Sequence, residues 1–82
     1  MVGSLMDAPP GITARQRQVV ALIAAGCSNE EVAAALEISP RTAKAHSDAL
    51  RQKLGVPRRR QIPAAYRMIT GDDPLRSALD GQ

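Results

Sequence analysis

The 82-residue chain carries 11 Lys and Arg against 8 Asp and Glu, a net +3, with no Phe or Trp, one Tyr and one Cys. A chain this short is one small domain at most, with a modest buried fraction and a core that must come from Ala, Val, Ile and Leu. It has no apolar run near the ~20 residues of a membrane span, no basic-then-apolar secretory signal, and a lone Cys27 that can make neither an internal disulfide nor a metal cluster, which fits a reducing cytosol.

Residues 1–11, MVGSLMDAPPG, contain Gly, a Pro-Pro pair and no helical period, and read as a flexible N-terminal arm. Thr13 opens a first helix over 13–25. Thr13 and Gln16 match the capping box, in which hydroxyl and amide satisfy each other's backbone donors. Ile12, Gln16, Val19, Val20 and Ile23 then recur at i, i+4, i+7, i+8 and i+11, one face of an amphipathic helix. Gly26 ends it. Ser28 and Glu31 form a second box at the head of a short helix over 29–36, and Glu30 and Glu31 suit its positive end. Val32, Ala33 and Leu36 make its buried face. Glu37 and Ile38 turn the chain tightly.

The third helix, 40–54, is the one the rest serves. Ser39 is a good N-cap, Pro40 sits where a missing N–H costs nothing, and Gly55 ends the helix in a left-handed conformation. At about 100° per residue, Ala43, Ser47, Leu50 and Leu54 share one side. Arg41, Lys44, Ala45, Asp48, Arg51 and Gln52 share the other. A short helix, a tight turn and a longer helix is the helix-turn-helix plan, and Ala33 and Ala43 suit the close crossing it needs. Val56-Pro57 turns the chain again, and Arg58 to Arg60 give a triple cation. Ile62, Ala65, Tyr66 and Ile69 repeat at i, i+3, i+4 and i+7, so a fourth helix is expected over 60–70. Pro63 is harmless only in a first turn, which places the start near Arg60. Gly71-Asp72-Asp73 stops the helix. Residues 71–82 read as a flexible tail, with at most one fraying turn from Pro74. The fold class is therefore all-α, a four-helix helix-turn-helix domain over residues 12–70.

Charge is segregated along this plan. From Ile38 to Thr70, eight basic residues face the single acid Asp48, a net of +7; the remainder holds three arginines against seven acids, a net of −4. Clustered charge repels itself and implies a partner of opposite sign. A helix anchored along one side with a long-armed cationic face outward suits a negatively charged groove, and double-stranded DNA is the obvious one. Arg41, Thr42, Arg51 and Lys53 are candidates for phosphate contact. Arg58 and Arg59 sit beside the C-terminus of the third helix and are candidates too. Asn29, at the start of the second helix, can offer a backbone amide to phosphate. His46 lies on the flank of the third helix and is expected to be packed and hydrogen-bonded, touching a phosphate. Thr42 has the alternative of packing at the inter-helix turn, and Arg58 to Arg60 that of keeping the fourth helix's start solvated.

From Ile12 to Ile69 the chain resembles the LuxR-type helix-turn-helix domain. The shared residues are Thr13, Arg15, Val19, Gly26, Ser28, Asn29, Glu31, Ala33, Leu36, Ile38, Ser39, Thr42, Lys44, His46, Lys53, Leu54, Gly55, Val56 and Arg59. The resemblance implies that the third helix enters the major groove, with Lys44, Ala45 and Asp48 reading base edges. It also implies that the fourth helix pairs with a second copy, making Ile62, Tyr66 and Ile69 candidates for a dimer seam; Tyr66 and Ile69 are equally candidates for the core. Four departures stand out. Gln16 and Gln18 replace usual acids, which is expected to weaken their ties to Arg15 and Lys53. Ala43 and Ser47 replace larger apolar residues. Asp48 replaces a basic or amide residue and can accept from a cytosine amino group. Pro63 is unusual within the fourth helix.

The expected function is thus a sequence-specific, homodimeric transcription regulator of the cytoplasm, nucleoid-associated when bound. The alternative is a protein-interaction module of the same fold that docks on RNA polymerase or another regulator. An enzyme is not expected, since the sequence offers no nucleophile–His–acid set, Gly-rich phosphate loop or metal cluster, and no cofactor is implied. A stand-alone regulator and the output part of a longer one both fit the sequence.

Overall fold

Capping chemistry divides residues 11–74, the ones this computed structural model describes, into four α-helices. They are α1 Ala14–Ala24, α2 Asn29–Leu36, α3 Pro40–Leu54 and α4 Ile62–Thr70, with a 3-10 turn at Arg59–Gln61 before the last. The expectations for residues 1–10 and for the tail beyond 74 lie outside the described residues. Gly71 to Asp73 are exposed, and Pro74 is buried.

Both capping boxes form. The Gln16 N–H donates to Thr13 Oγ1 at 3.0 Å and the Thr13 N–H to Gln16 Oε1 at 3.2 Å. The Glu31 N–H donates to Ser28 Oγ at 3.1 Å and the Ser28 N–H to Glu31 Oε1 at 2.8 Å. At the head of α3 the Thr42 N–H donates to Ser39 Oγ at 3.1 Å, with Pro40 in the first turn. Three helices close the same way, with a left-handed residue followed by a 6→1 backbone bond. These bonds run from Cys27 to Leu22, from Ile38 to Ala33 and from Val56 to Arg51, each at 3.0 Å. The left-handed residues are Gly26, Glu37 and Gly55, with φ of 94°, 58° and 72°. Glu37 is the one with a side chain, and it sits at the turn that aims α3.

Packing runs chiefly between α2 and α3, and between α1 and both α3 and α4. Leu50, Ile62, Val19, Val20 and Val32 are the largest fully buried side chains. Each such side chain contributes about 1.5–3 kcal/mol relative to exposure. On α3 the buried residues are Ala43, Ser47, Leu50 and Leu54, the stripe the period predicts. The buried Ser47 hydroxyl donates back to the Lys44 carbonyl at 3.0 Å, so its burial leaves no unsatisfied donor.

The start of α4 differs from the expectation near Arg60. The α-helix begins at Ile62, and the 3-10 turn covers Arg59–Gln61. The Pro63 ring would strike the carbonyl four residues back, at Arg59, so a continuous α-helix cannot reach that far. On the outer side of α4, Met68 and Ile69 are 86% and 58% exposed.

Candidate nucleic-acid interface

The side of α3 opposite the core is open. Arg41, Thr42, Lys44, Ala45 and Gln52 are exposed, while His46, Asp48 and Arg51 are partly so. Three of these form one ionic unit. Lys44 Nζ donates to Asp48 Oδ2 at 2.9 Å, and Arg51 Nη2 donates to Asp48 Oδ1 at 2.7 Å. Arg51 Nη1 also donates to the Pro57 carbonyl at 3.1 Å, tying α3 to the turn after it. The Arg51 hydrogen bond, then that of Lys44, holds the Asp48 carboxyl below its ordinary value. Lys44 keeps 67% of its side chain exposed, and Arg51 34%. The expected face is therefore present, and two of its cations are already engaged within it.

The remaining candidates fall into two groups. Asn29 lies partly buried in the first turn of α2, and Thr42 in the first turn of α3, where its hydroxyl accepts from Ser39 Oγ at 2.9 Å. Arg58 is exposed on the turn after α3. These stay available to a backbone running past the helix starts. His46 is partly buried on the flank, and no side-chain hydrogen bond holds it among the described residues, contrary to the expectation.

Other candidates are turned to internal work. Lys53 Nζ donates to the Gly11 carbonyl and to Gln16 Oε1, the latter at 2.9 Å. The amide of Gln16 therefore still ties α1 to α3, in place of the usual acid. Arg59 Nη2 donates to the Cys27 carbonyl at 2.7 Å, bracing the α1–α2 loop against the 3-10 turn, and its Nε is buried without a partner. Long side chains settle where acceptors are fixed, and both loops offer carbonyls that no helix uses. Of the three seam candidates, Ile62 and Tyr66 belong to the core. Ile69, beside Met68, is exposed on α4. Burial also pushes the Tyr66 phenol up from its ordinary value, aided by Asp72 and opposed by Arg17 and Thr70.

Sequence reading missed two features. Arg15 Nη1 reaches the Leu36 carbonyl at 3.4 Å, linking α1 to the turn before α3. Arg60 and Arg67, both exposed, border with Arg59 a groove of about 510 Å³ floored by Ile23, Pro63 and Ala64. Their spacing of seven residues, two helical turns, is the signal that would have found them. No residue of α3 lines this groove. Among the described residues no three His, Cys, Asp or Glu cluster to hold a metal, and no helix is long and apolar enough to cross a membrane.

Comparison with known proteins adds to this geometry. The family model described as bacterial regulatory proteins, luxR family, matches residues 10–67. The transcriptional regulatory protein UhpA of Salmonella typhimurium is 40% identical over 60 residues, which are 73% of this chain and 30% of UhpA. YhjB of Escherichia coli is 46% identical over 50 residues, 61% of this chain and 25% of YhjB. The transcriptional regulatory protein MctR of Rhizobium johnstonii is 44% identical over 45 residues, 55% of this chain and 21% of MctR. The chain thus spans less than a third of the length of each of these relatives. No solved structure matches it.

Proposed function

We propose a function from one premise: the chain belongs to the luxR family of bacterial regulatory proteins, a helix-turn-helix family of transcription regulation. In this reading α3 lies in the major groove of double-stranded DNA. Lys44, Ala45 and Asp48 face base edges; a lysine suits guanine, an alanine methyl suits the thymine methyl, and a carboxylate suits the cytosine amino group. Arg41, Thr42, His46, Arg51 and Arg58 take backbone phosphates, with the amide at Asn29. Lys53 and Arg59 support this face from behind. Two copies pair through the exposed Met68 and Ile69 of α4 and read half-sites about one helical turn apart. The protein acts in the cytoplasm on the nucleoid.

The observation that carries the reading is the two-sidedness of α3: Ala43, Ser47, Leu50 and Leu54 are buried while Arg41, Lys44 and Ala45 are bare. Nothing of the core covers this face, and Arg41 on it makes no ion pair among the described residues. The test is an anisotropy titration of duplexes taken from a random pool, across a salt series. Arg41→Ala should weaken all duplexes alike and flatten the salt slope by about one, since each neutralised phosphate contributes ~0.9. Lys44→Ala should also change which duplex wins. If neither substitution alters binding, the face is assigned wrongly.

One observation favours a second reading. Asp48 engages both Lys44 and Arg51 and so lowers the charge of the face. A module that docks on RNA polymerase or another regulator would tolerate this. It requires DNA binding without sequence preference and a protein that co-purifies with the chain.

A further inference from the structure

Arg41 and Lys44 stand one turn apart on the bare side of α3, yet they differ in state. Arg41 makes no ion pair among the described residues, whereas Lys44 is bonded to Asp48 at 2.9 Å. Arg51, one turn further on, is held at both ends, by Asp48 at 2.7 Å and by the Pro57 carbonyl at 3.1 Å. A single carboxylate thus spends one oxygen on each of two cations. It does so at the surface, where its side chain is 42% exposed and meets whatever meets the helix.

A DNA phosphate that takes Lys44 or Arg51 exchanges one charge-assisted bond for another and gains little. It also leaves Asp48 ionised and short of a partner close to the phosphate backbone, which is repulsive. Generic backbone contact is therefore penalised at this point of the helix. A base-pair edge with a hydrogen-bond donor removes the penalty, because the freed carboxylate finds a new partner. In the major groove the exocyclic amino group of cytosine is the donor that a carboxylate accepts from.

We propose that Asp48 is a specificity-determining residue: it withholds Lys44 and Arg51 from non-cognate DNA and releases them where a cytosine amino group takes their place. This rests on the DNA-binding reading above. The role differs from a simple base contact, because Asp48 acts before contact by neutralising its neighbours.

The experiment compares the full 82-residue chain with Asp48→Asn and Asp48→Ala, both neutral. Each is titrated against a random-sequence duplex and against the duplex selected by the unaltered chain, over a salt series. Both variants should bind the random duplex about tenfold more tightly, with a salt slope steeper by about one to two, as two cations are freed for phosphate. Replacing a contacted C·G pair by T·A in the selected duplex should cost the unaltered chain on the order of tenfold or more, and the variants little. Equal random-duplex affinity and slope in all three proteins would overturn the proposal while leaving the DNA reading intact. So would a selected site with no C·G pair under α3, or tighter binding that keeps the full preference. Absence of binding by all three at low salt would instead overturn the DNA reading, and this proposal with it.

Discussion

Replacing Glu37 by glycine is expected to stabilise the domain. Glu37 has φ 58° and ψ 44° at the end of α2, the left-handed region. A residue with a Cβ pays roughly 1–2 kcal/mol there. Glycine avoids that cost but loses more freedom on folding, by about 0.4–1 kcal/mol. The side chain of Glu37 is exposed, so little contact is given up. The balance is about 0.5–1 kcal/mol in favour of Glu37→Gly, or a Tm rise of about 2–8 °C for a domain of this size. Thermal unfolding followed by circular dichroism measures it. Two controls fix the sign. Glu37→Ala keeps the Cβ and should leave Tm nearly unchanged. Gly26→Ala adds a Cβ at φ 94° with nothing within 4 Å of it, so its cost is backbone strain alone, and Tm should fall. If Glu37→Gly matches or lowers the Tm of the unaltered chain while Glu37→Ala is neutral, the strain argument is wrong.

Other outcomes follow from the core and the ionic unit. Leu50→Ala empties a fully buried site on the docking side of α3; it should cost about 2–5 kcal/mol out of the roughly 4–12 kcal/mol a chain of this length holds. Urea unfolding reports it, and a loss under about 1 kcal/mol would mean that α3 is not seated as described. Asp48 should titrate below its ordinary 3.8, and the midpoint should climb towards 3.8 in Arg51→Met, as read by carboxyl carbon shifts in NMR. Because the folded value is depressed, this pair's contribution is present above pH 3.8 and disappears as pH falls through the folded midpoint. An unshifted carboxyl would show the three side chains apart in solution.

The helix plan was legible because its signals are local. Ser28 with Glu31, and Ser39 with Pro40, set the starts of α2 and α3, and Gly55 the end of α3, whereas Glu37, read only as part of a tight turn, is the left-handed residue that closes α2. The buried side of α3 followed from period alone. The start of α4 was less legible, since Pro63 forbids one geometry without saying which turn replaces it; the answer is a 3-10 turn over Arg59–Gln61. Side-chain partners were the least legible part. Lys53, Arg51 and Arg59 have several rotatable bonds each, and their bonds go to carbonyls of Gly11, Pro57 and Cys27 that only the folded chain brings within reach. Likewise, periodicity put Ile62, Tyr66 and Ile69 on one stripe, but tertiary packing divides that stripe between core and surface.

A core almost without aromatic rings has an optical consequence. Tyr66 is the lone tyrosine, tryptophan and phenylalanine are absent, and the ring is 3% exposed in the heart of the domain. Near-ultraviolet absorbance and emission of the protein thus originate from one ring on α4, with no background from elsewhere. Folding can be followed there without a label, and a ligand docking on α3 can be followed independently by a dye on the ligand.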